Sequence, residues 1–155
     1  MKVTLLLCDA AQVADGKLYV LGAGWTVTGP MPVPSAIGLI IGVPWDQAGQ
    51  RHTLQMTLLD GDGRPVLLPG PEGQEQLVIE ADLEVERPAD MLPGVSLDVP
   101  FAVNLGPLPL PPGNRFYWQL EVDGQTREDW VLPFATRGMP PQMGGGPRGP
   151  ADIRI

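Results

Sequence analysis

Cysteine and histidine are each present once in a chain of 155 residues, as Cys8 and His52. A single cysteine leaves no internal disulfide to form, so nothing demands an oxidising compartment. One cysteine and one histidine are too few ligands for a structural zinc site. No nucleophile motif surrounds Cys8, Ser35 or Ser96, so His52 reads as a strand-end or internally satisfied residue rather than a general base. Nothing in the sequence calls for a cofactor, and the chain reads as non-enzymatic. Positive charge is also scarce. Ten Lys and Arg face 18 Asp and Glu, for a net charge of −8. Such a surface repels phosphate backbones and anionic lipid, which argues against nucleic acid and membrane as partners. Long apolar runs are missing too: no segment reaches the roughly 18 residues of a membrane span. Met1 to Cys8 has the look of a lipoprotein leader. Its apolar run is short, however, Asp9 follows at once, and Leu7 stands where cleavage wants a small residue. The expected location is cytoplasmic. No stretch carries a helical period.

What the chain has is alternation, glycine and proline. Gly 20 and Pro 19 punctuate short segments with a period of two, the pattern of half-buried strands. Arg115 to Phe134 is the densest. Phe116, Trp118, Leu120 and Val122 alternate with polar residues, Asp123-Gly124 supplies a tight turn, and Trp130, Leu132 and Phe134 return. Val3–Cys8 is a strand, whereas Asp9–Ala14 fits either one helical turn or a bulged connection. Lys17–Thr28 reads as a strand with Tyr19, Leu21, Ala23, Trp25 and Val27 on one face and Gly22 and Gly24 on the other, where they mark a close approach. Ala36–Val43 puts Ile37, Leu39, Ile41 and Val43 on one face. Arg51–Asp60 and Val95–Val103 alternate likewise. Pro69–Gly73 reads as a loop.

These strands predict an all-β domain over residues 1–136, a two-sheet antiparallel, immunoglobulin-like sandwich, with a closed barrel as the alternative. Residues 137–155 read as a flexible Gly/Pro-rich tail that regains a short strand-capable alternation at Asp152-Ile153-Arg154-Ile155.

Several features invite chemistry. Gln76–Glu86 is two-faced, with Leu77, Ile79, Ala81, Leu83 and Val85 inward. Glu80, Asp82, Glu84 and Glu86 lie outward at about 7 Å intervals. This is a solvated row or a docking face for a basic partner. Asp60-Gly61-Asp62-Gly63 has half of a calcium loop but the spacing of a hairpin turn. Pro107–Pro112 is a stiff connection with the alternative of a polyproline ligand. Trp45, between Pro44 and Asp46 in a loop, is the tryptophan expected at the surface, where it would anchor a ligand with Tyr117 or Trp25 nearby. Gly22–Trp25 lacks the third glycine and following helix of a dinucleotide fingerprint.

Asp9–Trp25 (DAAQVADGKLYVLGAGW) and Pro112–Gly124 (PGNRFYWQLEVDG) resemble the opening and the C-terminal hairpin of a group of small uncharacterised actinobacterial β-proteins. The resemblance covers roughly residues 1–136. It implies a compact β-domain and carries over no functional residue. The hairpin also resembles the last strand pair of immunoglobulin-like sandwiches, a likeness of fold alone. The leading expectation is an interaction or assembly module whose tail, through Ile153 and Ile155, docks on a partner or a neighbouring copy. The alternative is a small-molecule or carbohydrate-binding domain using exposed aromatics.

Overall fold

The computed structural model describes residues 1–141. Twelve strands follow in order: β1 Lys2–Cys8, β2 Ala10–Ala14, β3 Lys17–Leu21, β4 Val27–Thr28, β5 Ser35–Val43, β6 Arg51–Asp60, β7 Leu67–Gly70, β8 Gly73–Gln76, β9 Val78–Glu84, β10 Leu97–Leu105, β11 Arg115–Val122 and β12 Val131–Thr136. The only helical element among the described residues is a 3-10 turn at Trp45–Gln47. The domain is therefore all-β, as the alternation predicts. Its sheets run β1-β5-β10 and β4-β12-β11-β6-β9, with β2-β3 and β7-β8 as separate hairpins. None of them closes, so the barrel alternative falls. All pairings are antiparallel except the short β12–β4 contact.

The buried faces of the two larger sheets meet in one cluster. Ile37, Leu39, Ile41 and Val43 of β5 join Leu54, Met56 and Leu58 of β6 and Phe116, Trp118, Leu120 and Val122 of β11. Each such side chain contributes about 1.5–3 kcal/mol on burial. The β11–β12 hairpin pairs Phe116 with Phe134 and Trp118 with Leu132. Asp123 and Gly124 take the positive φ angles, 50° and 75°, of a primed turn. That turn closes only a Val122–Gln125 bridge. The chain then makes an excursion before β12, with Trp130 buried and its carbonyl accepting from Leu120 N–H at 2.9 Å.

Four expectations need correction. Asp9–Ala14 is neither helical nor a bulged connection: Ala10–Ala14 is strand β2, paired with β3 about the Asp15-Gly16 turn. The strand expected over Lys17–Thr28 ends at Leu21, because Gly22 and Gly24 adopt φ of 63° and 98°. A Cβ at Gly22 would collide with the Asp9 carboxylate. The phase of β3 is also inverted. Leu18 and Val20 pack inward over Cys8, Ala11, Ala36 and Ala102, while Tyr19 and Leu21 are exposed. Finally, Pro69–Gly73 is a hairpin turn rather than an open loop, with Gly70 opposite Gly73, so the two-faced strand shortens to Val78–Glu84 and Glu86 lies beyond it.

Candidate functional site

Alternation along β9 puts Glu80, Asp82 and Glu84 on the solvent face, with Leu83 buried and Ile79 and Ala81 half-buried behind them. Glu86 is exposed past the strand end. Register then adds acids that local sequence does not reveal. Gln55 of β6 lies opposite both Glu80 of β9 and Glu121 of β11. Thr53 lies opposite Asp82, and its N–H donates to Asp123 Oδ1 at 2.9 Å. Four carboxylates thus frame a polar floor of Thr53 and Gln55. Thr53, Gln55, Glu80, Asp82 and Glu121 line a depression of about 320 Å³. Arg51 pairs with Asp82 at its margin and holds that carboxyl below its ordinary range.

The second feature is the edge itself. Among the described residues, β9 has no backbone partner other than β6. The other edges of the two larger sheets are shortened or partly covered. β4 is two residues long. On β1, the Leu7 carbonyl accepts from Gly24 N–H at 3.0 Å. On β10, Pro100 removes a donor, and the Asn104 side-chain amide takes both the N–H and the C=O of Ala11, at 3.1 and 2.8 Å. Bulges, prolines, short strands, local coverage and charged side chains are the ordinary means of protecting an edge. β9 uses only the last of them.

The other sequence-predicted residues lie elsewhere. Trp45 is half-buried on the 3-10 turn, with the Arg87 guanidinium 5.6 Å from its ring centre and Arg87 Nε–H donating to its carbonyl at 3.1 Å. Trp25 is part of the core wall, edge-on to Phe134 at 6.3 Å. Tyr117 lies on the outer sheet face, in an open depression of about 570 Å³ with Gln119, Arg127 and Pro133. The three aromatics do not converge. Ile153 and Ile155 lie outside the described residues. Asp60 Oδ1 accepts from the N–H groups of Asp62 and Arg64, each at 2.9 Å, so this carboxylate is spent on its own turn. Leu108 and Leu110 pack on the core, which makes Pro107–Pro112 a connection.

His52 has a partner that sequence reasoning missed. It is 6% exposed, and its Nδ1 lies 2.7 Å from Asp123 Oδ2. Nε2 approaches the Gln47 carbonyl at 3.5 Å. The adjoining cavity of about 130 Å³ also includes Arg127 and Trp130, and no hydroxyl or thiol lines it. Cys8 lies buried near the far end of β1, its thiol donating to the Ala36 carbonyl at 3.4 Å. Among the described residues, no group of three or more His, Cys, Asp or Glu is arranged to hold a metal ion. No helix there is long and apolar enough to cross a membrane.

The described residues form an all-β fold with an acidic sheet edge that none of them pairs. The chain belongs to a family of unknown function (DUF6941), whose model matches residues 3–135. Comparison with curated proteins found no match, and comparison with solved structures found none either.

Proposed function

We propose that the chain is a non-enzymatic interaction module that takes an extended segment of another polypeptide as an added strand on β9. The observation that carries this reading is that no described residue pairs with the outer side of β9, whose faces alternate acidic outward and apolar inward. Strand addition draws affinity from main-chain hydrogen bonds and specificity from alternate side chains. The complementary segment alternates basic and apolar residues. Strand order supports an immunoglobulin-like sandwich beneath it. β1-β5-β10 faces β12-β11-β6, the arrangement of the A-B-E and G-F-C strands, and β9 extends the second sheet as the extra strand of variable-type domains does. Tyr117 and its open depression favour a second reading, a small-molecule face on the same sheet.

The test uses a synthetic six-residue peptide alternating Arg and Ile, followed by fluorescence anisotropy and by amide hydrogen exchange of the full chain. The expected result is saturable binding that slows exchange along β9 and weakens at ~0.5 M salt, where charges are screened within a few ångströms. Asp82→Pro, which removes an N–H on the side of β9 that faces away from β6, should abolish it. Binding that leaves β9 exchange unchanged, or no binding at all, refutes the edge reading.

A further inference from the structure

We infer that the outer face of the five-stranded sheet docks a second copy of this chain, its strands antiparallel to those of the first. The period of two puts Arg115, Tyr117, Gln119 and Glu121 of β11 on that face, opposite the buried Phe116, Trp118, Leu120 and Val122. Register extends the face in rows. Pro133, Tyr117 and Leu59 form one row, and Val131, Gln119, Thr57 and Val78 form the next. Neither row carries a charge. Leu59 is buried and Pro133 exposed, and the others are half-buried. The open depression bounded by Tyr117, Val131 and Pro133 lies here.

Charge begins on either side of these rows. Toward the Asp123-Gly124 turn, Glu121, Gln55 and Glu80 form a row. In the other direction Arg115 stands beside Ala135. Neighbouring charges are already paired, Asp82 with Arg51, Asp123 with His52 and Asp62 with Arg64. Among the described residues, Arg115, Glu80 and Glu121 make no ion pair.

The arrangement is symmetric about Trp118. Tyr117 and Gln119 lie one residue to either side of it, and Arg115 and Glu121 lie three. A two-fold axis running across the strands at this level sets Arg115 of each copy opposite Glu121 of the other. It also sets Tyr117 opposite Gln119 and, on β12, Val131 opposite Pro133, since Leu132 is level with Trp118. A two-fold along the strands leaves every row opposite itself, so Glu80 and Glu121 face the same acids. Like charges so placed are costly, and the pattern selects the first orientation.

The dimensions fit a weak, reversible dimer. Four strands at ~4.8 Å and nine residues at ~3.4 Å give a face of about 19 by 30 Å. That is roughly 570 Å² per copy and about 1,100 Å² for the pair, at the lower end of specific interfaces. The dissociation constant is then micromolar or weaker. Docking through the face leaves the outer side of β9 free, so this inference stands or falls independently of strand addition there.

The test is sedimentation equilibrium of the full chain, of Arg115→Glu, of Glu121→Arg and of an equimolar mixture of the two variants, with the urea midpoint of each variant as the check on folding. The full chain should dimerise in the micromolar range. Each variant alone replaces two opposite-charge contacts by two like-charge ones and should dissociate at least ~10-fold more readily. The mixture should recover the parental mass, because in the mixed dimer every substituted position again meets an opposite charge. A full chain that remains monomeric at millimolar concentration overturns the inference and leaves the face to a small molecule at Tyr117. A dimer that neither variant weakens overturns it too, as does one that both weaken and the mixture does not restore, since the contact then lies elsewhere.

Discussion

Asp123 ties the turn after β11 to the start of β6, and a series at this position tests that account. Its carboxylate accepts from Thr53 N–H at 2.9 Å and faces His52 Nδ1 at 2.7 Å, while its own backbone sits at a φ of 50°. Asp123→Ala loses both contacts and forces Ala into the left-handed region. The two contacts are worth roughly 1 kcal/mol each, taken from the low end because the side chain is 48% exposed. The backbone term is roughly 1 kcal/mol. The expected total is about 3 kcal/mol. Asp123→Gly removes the contacts but not the conformational freedom, and should cost about 2 kcal/mol. Asp123→Asn tolerates the backbone, keeps an acceptor for Thr53 and offers His52 its amide, so it should cost under about 1 kcal/mol. Urea unfolding measures the order Asp, Asn, Gly, Ala through the midpoint at constant slope. The pH dependence supplies a second arm. The hydrogen bond from His52, then the one from Thr53, hold this carboxyl below its ordinary range. A carboxyl depressed in the folded state contributes fully above its unfolded value of about 4 and loses that contribution as pH falls through the lower folded value. The gap between Asp and Asn should therefore close below about pH 4. Equal stability of the Ala and Gly variants, both within ~0.5 kcal/mol of the parent, would refute the reasoning.

The remaining predictions concern the β2–β3 hairpin and the thiol. A Cβ at Gly38 would already lie 3.1 Å from Leu18 Cδ2 and from Val20 Cγ1. Gly38→Val should therefore lift the hairpin and cost about 1–3 kcal/mol, read as faster hydrogen exchange over residues 10–21 with the β1–β5 ladder unchanged; uniform acceleration would contradict it. Burial pushes the Cys8 thiol up, and the residue is 0% exposed. It should resist a thiol reagent in the native state and react promptly in urea; rapid native labelling would show that the hairpin does not seal it.

Much of the fold is written locally. The strands β5, β6 and β11 read off their alternation, and Asp15-Gly16 and Asp123-Gly124 announce turns with positive φ at both residues. The phase of β3 does not. Tyr19 and Leu21 look as apolar as Leu18 and Val20, and the choice falls to small residues far away, Gly38, Ala36 and Ala102, over which only one face fits. The acidic row of β9 is legible, whereas Glu121 and Asp123 join it only through the register of β6 with β11. His52 and Asp123 are 71 residues apart, and no local signal links them.

The carboxylates of β9 also explain how such an edge is tolerated. An open strand with apolar residues on its inward face is a template for pairing with another copy of itself. Two β9 edges brought together antiparallel would set Glu80, Asp82 and Glu84 of one copy against the same residues of the other, and like charges directly opposed are destabilising. On the proposed reading the row disfavours an identical edge, while a strand with cations at alternate positions gains from the same charges. A blunted edge refuses every partner; an acidic one discriminates among them. Of the long edges, β10 is closed by Pro100 and the Asn104 amide and β1 is partly taken by Gly24. Among the described residues β9 is left open and charged, and selection by charge rather than closure is what the proposed acceptor strand requires.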